Sequence, residues 1–330
     1  MFGNKTIGII IPAYRVEKQI GKVIAKIPDF VDKIIIVNDA STDRTTEIIR
    51  RMNNSKILLI EHKKNQGVGG AMKSGFRKAI ELNIDIVVKV DGDNQMDINY
   101  LPALITPIIE NYADYTKGNR FLDSKDLVQM PFQRFLGNLF LTFITKVASG
   151  YWHIFDSQNG YLAISLDTLK KIDLDKLDNY YFFENSMLIN INIFEARVAD
   201  IFIPARYLDE KSSLKISKVL WYFPCKLLKG LILRIYYKYI FFDLSPIVVF
   251  LLCGLFLFFP GLFFGLFIWV KTLKTHIPTP TGTIILALLP IMIGFQLILQ
   301  ALVLEITQSS RIKGLRYSLE EMDILIKKYT

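Results

Sequence analysis

Between Ser245 and Val270 no side chain carries a charge, and the same holds from Thr281 to Leu304. As α-helices these runs of 26 and 24 residues would reach about 39 and 36 Å at ~1.5 Å per residue, against a hydrocarbon layer of ~30 Å. A chain holding both is expected to place them in lipid as a two-span hairpin, spans 245–270 and 281–304. Pro260-Gly261 in the middle of the first run reads either as a kink in one spanning helix or as the break between two re-entrant half-helices. Composition agrees: 51% hydrophobic and 22% charged residues are too apolar for a disordered chain and high for a purely soluble one. With 330 residues, most of the chain is left for a large domain beside the hairpin.

Charge is segregated in the same way. Residues 1–210 hold 26 Lys+Arg and 26 Asp+Glu, whereas residues 211–330 hold 14 and 5, so the whole net charge of +9 lies in the last third. A basic excess beside long apolar runs points to anionic membrane lipids and away from nucleic acid. Residues 211–243 carry seven Lys/Arg and the tail after the second run adds Arg311, Lys313 and Arg316, against two lysines in the loop 271–280. Ten cations against two puts both flanks on the cytoplasmic side. Trp221, Tyr222 and Phe223, interleaved with Lys226, Lys229, Arg234 and Lys238, read as interfacial helices lying on the headgroups. The alternative is an amphipathic helix packed on the soluble domain. At the other end Thr6–Ile11 runs straight into Pro12, too short an apolar run for a signal peptide, so the first domain is expected in the cytosol.

Cys225 and Cys253 suggest no disulfide framework, and His62, His153 and His276 form no metal-ligand spacing. Chemistry is therefore sought elsewhere. Apolar strand-like runs at Thr6–Ile11, Lys33–Val37, Lys56–Ile60 and Asp85–Val90 alternate with helical patterns at Thr42–Met52 and Val68–Leu82. The alternation predicts an α/β domain with a mostly parallel sheet, whose ligands bind beyond the carboxyl ends of the strands. Polar groups stand at each of those ends: Pro12-Ala13-Tyr14, Asn38-Asp39, the glycine loop Gln66-Gly67-Val68-Gly69-Gly70, and Asp91-Gly92-Asp93-Asn94-Gln95. Two carboxylates one residue apart on an extended chain share a side, an arrangement that suits a hard divalent cation bridging phosphates. A bare Asp-x-Asp also occurs in solvated turns. The glycine loop lacks the Lys-Ser/Thr of a P-loop; it reads as a tight turn or as a source of amides for phosphate, and no phosphate role is assigned to it.

Taken together with Gly118-Asn119-Arg120, Arg134, Asp156-Ser157-Gln158-Asn159-Gly160-Tyr161 and Arg206–Ser212, these motifs resemble family 2 glycosyltransferases of the GT-A fold, specifically the polyprenyl-phosphate sugar transferases related to dolichyl-phosphate mannose synthase. The two-span hairpin resembles the bacterial branch, so the likeness runs over nearly the whole chain: a GT-A domain at 1–210, interfacial helices at 211–243, a hairpin at 244–305 and a cytosolic tail at 306–330. Asn38-Asp39 departs from the family's frequent Asp-Asp.

The resemblance implies transfer of a hexose from a nucleoside diphosphate sugar to polyprenyl phosphate, undecaprenyl or dolichyl, at the cytoplasmic membrane face, with inversion. It implies Mg²⁺ or Mn²⁺ held by Asp91, Asp93 and Gln95. Pro12, Ala13, Tyr14, Asp39, Asp91, Arg206 and Lys211 would bind the nucleotide sugar, and Arg120, Arg134 and Ser212 the acceptor phosphate. Asp156, with Asp91 and Asp93, would form the reaction centre, acting as base or only orienting substrate, and Glu184 would touch the sugar or orient a neighbour. Each arginine has a plain alternative as a surface ion pair and Asp156 as a turn residue. A UDP-sugar is the expected donor and GDP-mannose the alternative; homo-oligomeric packing of the hairpins is left open. The rival readings are a membrane polysaccharide synthase, which would want a Gln-x-x-Arg-Trp motif where Gln133-Arg134-Phe135 stands, an inactive sugar-nucleotide-binding scaffold, and a transporter, which would want more polar residues than Gln296 and Gln300 in its spans.

Overall fold

The structure is a computed structural model that describes residues 1–120, 132–204, 216–309 and 315–329, with side chains in addition left undescribed at 132–138, 216–221 and 319. The chain forms two compact units, Met1–Leu231 with Ser310–Thr330, and Ile232–Ser309.

In the first unit seven strands form one sheet: β1 Ile7–Ala13, β2 Lys33–Asn38, β3 Ile57–Glu61, β4 Ile86–Lys89, β5 Tyr115–Asn119, β6 Leu162–Ser165 and β7 Val198–Phe202. Their order is β3-β2-β1-β4-β6-β5-β7. All neighbours are parallel except β6, which runs antiparallel to both β4 and β5. The predicted parallel sheet is thus present, with one reversed strand that the sequence pattern did not show.

Both faces of the sheet are covered, which is why its strands read as unbroken β-branched runs. Ile7, Ile9 and Ile11 enter one core with Ile34 and Ile36, while Ile10 enters the other with Ile35 and Val37. The helices of this unit up to β6 are α1 Ile20–Ala25, α2 Thr45–Arg51, α3 Gly67–Glu81, α4 Leu101–Ile109 and α5 Phe132–Ser149. After β6 come α6 Leu166–Lys171 and α7 Phe183–Ile193. Ile20, Val23 and Ile49 of α1 and α2 cover the first face; Met72 and Phe76 of α3 cover the second with Phe183 and Met187 of α7.

Helix α8, Ile216–Tyr236, occupies much of the segment expected to be interfacial. Phe223 and Leu227 are buried against Phe182 and Ile189 in the manner of the alternative reading, and Tyr222 and Leu228 remain exposed. One helix therefore carries both a packed face and an apolar face open to its surroundings.

The second unit is built on α9 Pro246–Thr275 and α10 Thr281–Gln308, two helices long and apolar enough to cross a membrane. Pro260 lies inside a continuous α9, so the two half-helices do not form. The helices touch through small residues: a Cβ on Gly294 would stand 2.6 Å from the Phe258 nitrogen, a contact that only glycine permits. Outward-facing side chains such as Phe256, 76% exposed, and Phe263 are largely uncovered by protein among the described residues, unlike those of the core helix of a soluble domain. Within this unit the fully buried Arg234 is ion-paired to Glu305, which also accepts from Tyr239 Oη at 3.2 Å.

Residues beyond α10 return to the first unit. Leu315 adds a parallel bridge to Ile201 at the outer edge of β7, and Phe202 N donates to its carbonyl at 2.9 Å. Helix α11, Leu319–Tyr329, begins with a capping box in which Ser318 N donates to Glu321 Oε2 at 2.6 Å and Glu321 N to Ser318 Oγ at 3.2 Å. It ends with the Tyr329 ring 5.3 Å from that of Phe2.

Candidate active site

A cleft of about 480 Å³ opens at the carboxyl ends of β1, β2 and β4. Its lining brings together Pro12, Ala13 and Tyr14 at the end of β1, Asp39 after β2, Asp91 and Asp93 after β4, and Tyr180 and Tyr181 just before α7. Six residues singled out in sequence therefore meet around one space. Gln95, expected as a metal ligand, is not in that lining; its backbone N donates to Asp93 Oδ1 at 3.0 Å.

Asp39 has a second task that sequence did not show. Its carboxylate accepts from Gln66 N and Gly67 N, each at 2.8–2.9 Å, and meets His62 Nδ1 at 2.7 Å. A carboxylate at the first turn of α3 caps the helix and matches the positive end of its dipole. Two amides further along, Gly69 N and Gly70 N, donate to Asn179 O at 2.8 and 3.1 Å. The glycine loop is accordingly a packing turn. Gly67 has φ +81°, and a Cβ there would lie 2.5 Å from Asn179 O, so glycine is what lets α3 approach the segment that presents Tyr180 and Tyr181.

Beneath Asp91 lies Lys89, 1% exposed, with Nζ 2.8 Å from Asp91 Oδ1 and 3.1 Å from Glu184 Oε1. Burial would lower the pKa of this ammonium, but the two carboxylates outweigh it and hold it above its ordinary value. Glu184 is thus a partner of Lys89, the orienting option of its sequence reading.

Asp156 and Arg120 form a separate group outside the cleft lining. Asp156 is 2% exposed and accepts from Arg120 Nε at 2.7 Å, Nη2 at 3.0 Å and backbone N at 3.2 Å. This two-pronged pairing fixes the guanidinium plane while the side chain stays 38% exposed. Under the same loop lie Lys117 of β5 and Asp200 of β7, both buried. Arg206, Lys211 and Ser212 lie outside the described residues, as does the side chain of Arg134, whose backbone belongs to α5.

Sequence reasoning missed Tyr180, Tyr181, Lys89, Lys117 and Asp200. The three charged residues left a signal, a charge inside a strand that must find a partner: Lys89 ends the Ile86-Val87-Val88 run, Lys117 sits mid-β5 and Asp200 mid-β7. The tyrosines belong to no strand end.

Among the described residues no group of three or more His, Cys, Asp or Glu side chains is arranged to hold a metal. Asp91 and Asp93 nevertheless fit a divalent cation, because two hard carboxylates facing a cleft are the protein share of a site whose remaining ligands come from substrate phosphates and water.

A two-faced, mostly parallel sheet with paired aspartates in a cleft at its carboxyl edge defines a glycosyltransferase of the GT-A fold. The chain belongs to glycosyl transferase family 2, whose profile matches residues 8–173. It is 38% identical over 182 residues, 51% of this chain and 72% of the relative, to a UDP-N-acetylglucosamine–dolichyl-phosphate N-acetylglucosaminyltransferase of Methanococcus voltae. An undecaprenyl-phosphate mannosyltransferase of Micrococcus luteus is 27% identical over 174 residues, 52% of this chain and 70% of that one. In fold the chain is similar to glucosyl-3-phosphoglycerate synthase of Mycobacterium tuberculosis, crystallised with Mn²⁺, UDP and phosphoglyceric acid, at TM-score 0.51 and 18% identity, covering 70% of this chain and 78% of the other.

Proposed function

We propose that the protein transfers a sugar from a nucleoside diphosphate sugar to the phosphate of a membrane polyprenol, on the cytoplasmic face and with inversion. The observation that carries this reading is the cleft in which Asp91 and Asp93 face the Pro12–Tyr14 turn, in a chain that also holds two helices of membrane-spanning length. The relatives that act on dolichyl and undecaprenyl phosphate support the acceptor class.

The nucleoside enters between Tyr14 and the Tyr180–Tyr181 wall, with the backbone of the Pro12–Tyr14 turn and Asp39 at its edge. Asp91 and Asp93, the latter accepting from the Gln95 backbone N, would hold Mg²⁺ or Mn²⁺. When bound, the cation neutralises charge that builds on the leaving nucleotide. Lys89 keeps Asp91 fixed at the strand end through its 2.8 Å ion pair. The acceptor needs little activation, because a lipid monophosphate with a second pKa of ~6 is already ionised near neutrality. Arg120, held by Asp156, meets that phosphate together with Arg134 and Ser212, while Arg206 and Lys211 approach the donor phosphates. Asp156 orients acceptor or sugar and is not required to abstract a proton. The Lys/Arg excess flanking the spans supports the cytoplasmic orientation.

A UDP-sugar is the proposed donor. Membranes containing the protein are incubated with radiolabelled UDP- and GDP-sugars and polyprenyl phosphate, and the organic extract is counted. Label in a lipid-linked monosaccharide is the expected result. Sugar-nucleotide binding without labelled lipid, or label in a polymer, overturns the reading.

A further inference from the structure

Lys117 and Asp200 occupy partnered positions on the parallel strands β5 and β7, and are 0% and 3% exposed. Neither makes an ion pair within 4.0 Å among the described residues, although their charges lie close enough to influence one another. Each instead makes one hydrogen bond to the loop above. Lys117 Nζ donates to the carbonyl of Asn159. Asp200 Oδ2 accepts from Phe155 N at 3.2 Å and from Asn119 Nδ2 at 2.7 Å. The two contacts therefore grip the loop on either side of Asp156.

Burying two ions this way costs several kcal/mol each, and an apolar pair of similar volume would hold the same strands together at least as well. Stability of the sheet does not account for them. We propose that Lys117 and Asp200 are positioning residues that brace both ends of the Phe155–Asn159 loop and so hold Asp156 in its two-pronged contact with Arg120. The proposal rests on the reading of Asp156 and Arg120 as the acceptor side of the reaction.

The electrostatic surroundings make the brace sensitive to pH. Lys117 faces Asp200 of β7, Asp156 of the loop, Glu184 of α7 and Lys89 of β4; burial, only partly offset by the three carboxylates, pushes its pKa down to about 8. Asp200 faces Lys117 and Asp156, with Lys146 of α5 also within its field; burial pushes it up to about 6 against the bonds from Phe155 N and Asn119. Both are charged between those values. Above the upper one Lys117 keeps its contact to Asn159 only as a neutral amine, which loses the strength of a charge-assisted bond.

The test uses the full chain in lipid nanodiscs, with Lys117→Met and the nearly isosteric Asp200→Asn. Displacement of a reacting group by about an ångström costs on the order of 10²-fold in rate, so kcat is expected to fall by that order in Lys117→Met and less in Asp200→Asn. Donor affinity, measured directly with the sugar nucleotide, should stay within twofold, since neither residue lines the cleft. The wild-type kcat should decline above about pH 8, and Lys117→Met should lack that limb. Amide hydrogen exchange across 155–160 should quicken in both variants, a readout that needs no turnover and so separates failure of the brace from failure of the acceptor reading. Unchanged exchange in that loop, or parallel loss of donor binding and kcat, overturns the proposal. Should Lys117→Met not fold, the exchange and affinity results for Asp200→Asn decide it.

Discussion

The ammonium of Lys89 stands between Asp91 and Glu184, 2.8 Å from one carboxylate and 3.1 Å from the other, and ties the acidic end of β4 to the first turn of α7. That turn follows directly on Tyr180 and Tyr181. The aspartates and the tyrosine wall of the cleft are thereby linked through one buried cation.

Lys89→Met is expected to destabilise the protein by about 3 kcal/mol, because it leaves the buried Glu184 carboxylate without its counter-ion, while Asp91, 30% exposed at the cleft, can turn to water. Chemical denaturation followed by tryptophan fluorescence measures this. Unchanged stability would show that the pair is dispensable to the fold.

Asp93→Ala should leave the fold intact, since Asp93 belongs to the cleft surface and not to the core. Loss of one group that meets charge developing in the transition state costs on the order of 10²-fold or more in kcat. Retention of full metal-stimulated turnover would contradict the site.

Gly67→Ala combines a positive φ of +81° with a Cβ 2.5 Å from Asn179 O. The strained backbone costs about 1–2 kcal/mol, and the displaced Asn179–Tyr181 segment should raise the KM for the sugar nucleotide while kcat at saturation changes little. Titrating the donor at fixed acceptor separates the two.

Stability should fall as pH rises from about 4 to about 6, with Asp200 as the cause. Its ordinary value is 3.8 and in the fold it is raised to about 6, so the native state keeps a proton that the unfolded chain has already released. Between 3.8 and about 6, at ~1.4 kcal/mol per pH unit, the loss is roughly 3 kcal/mol. Asp200→Asn has no such proton to lose, and its stability should be flatter over that window.

The elements of this protein were legible wherever the signal is local. Unbroken apolar runs marked β1 to β4, the glycine-broken acidic turn marked the end of β4, and uncharged runs too long for a core helix marked α9 and α10. Such patterns follow from period, length and solvation, which neighbouring residues share. Legible too was the meeting of Pro12, Asp39, Asp91 and Asp93, because a parallel sheet brings the carboxyl ends of its strands to one edge. What sequence could not decide depends on partners distant along the chain. The reversal of β6, the return of Leu315 and α11 to the first unit, the capping of α3 by Asp39, and the buried charges Lys89, Lys117 and Asp200 each acquire meaning only from a contact made in three dimensions. A charged side chain in a strand says that compensation must exist; only the packed fold, where desolvation is offset by a particular carbonyl, amide or carboxylate, says which atom supplies it.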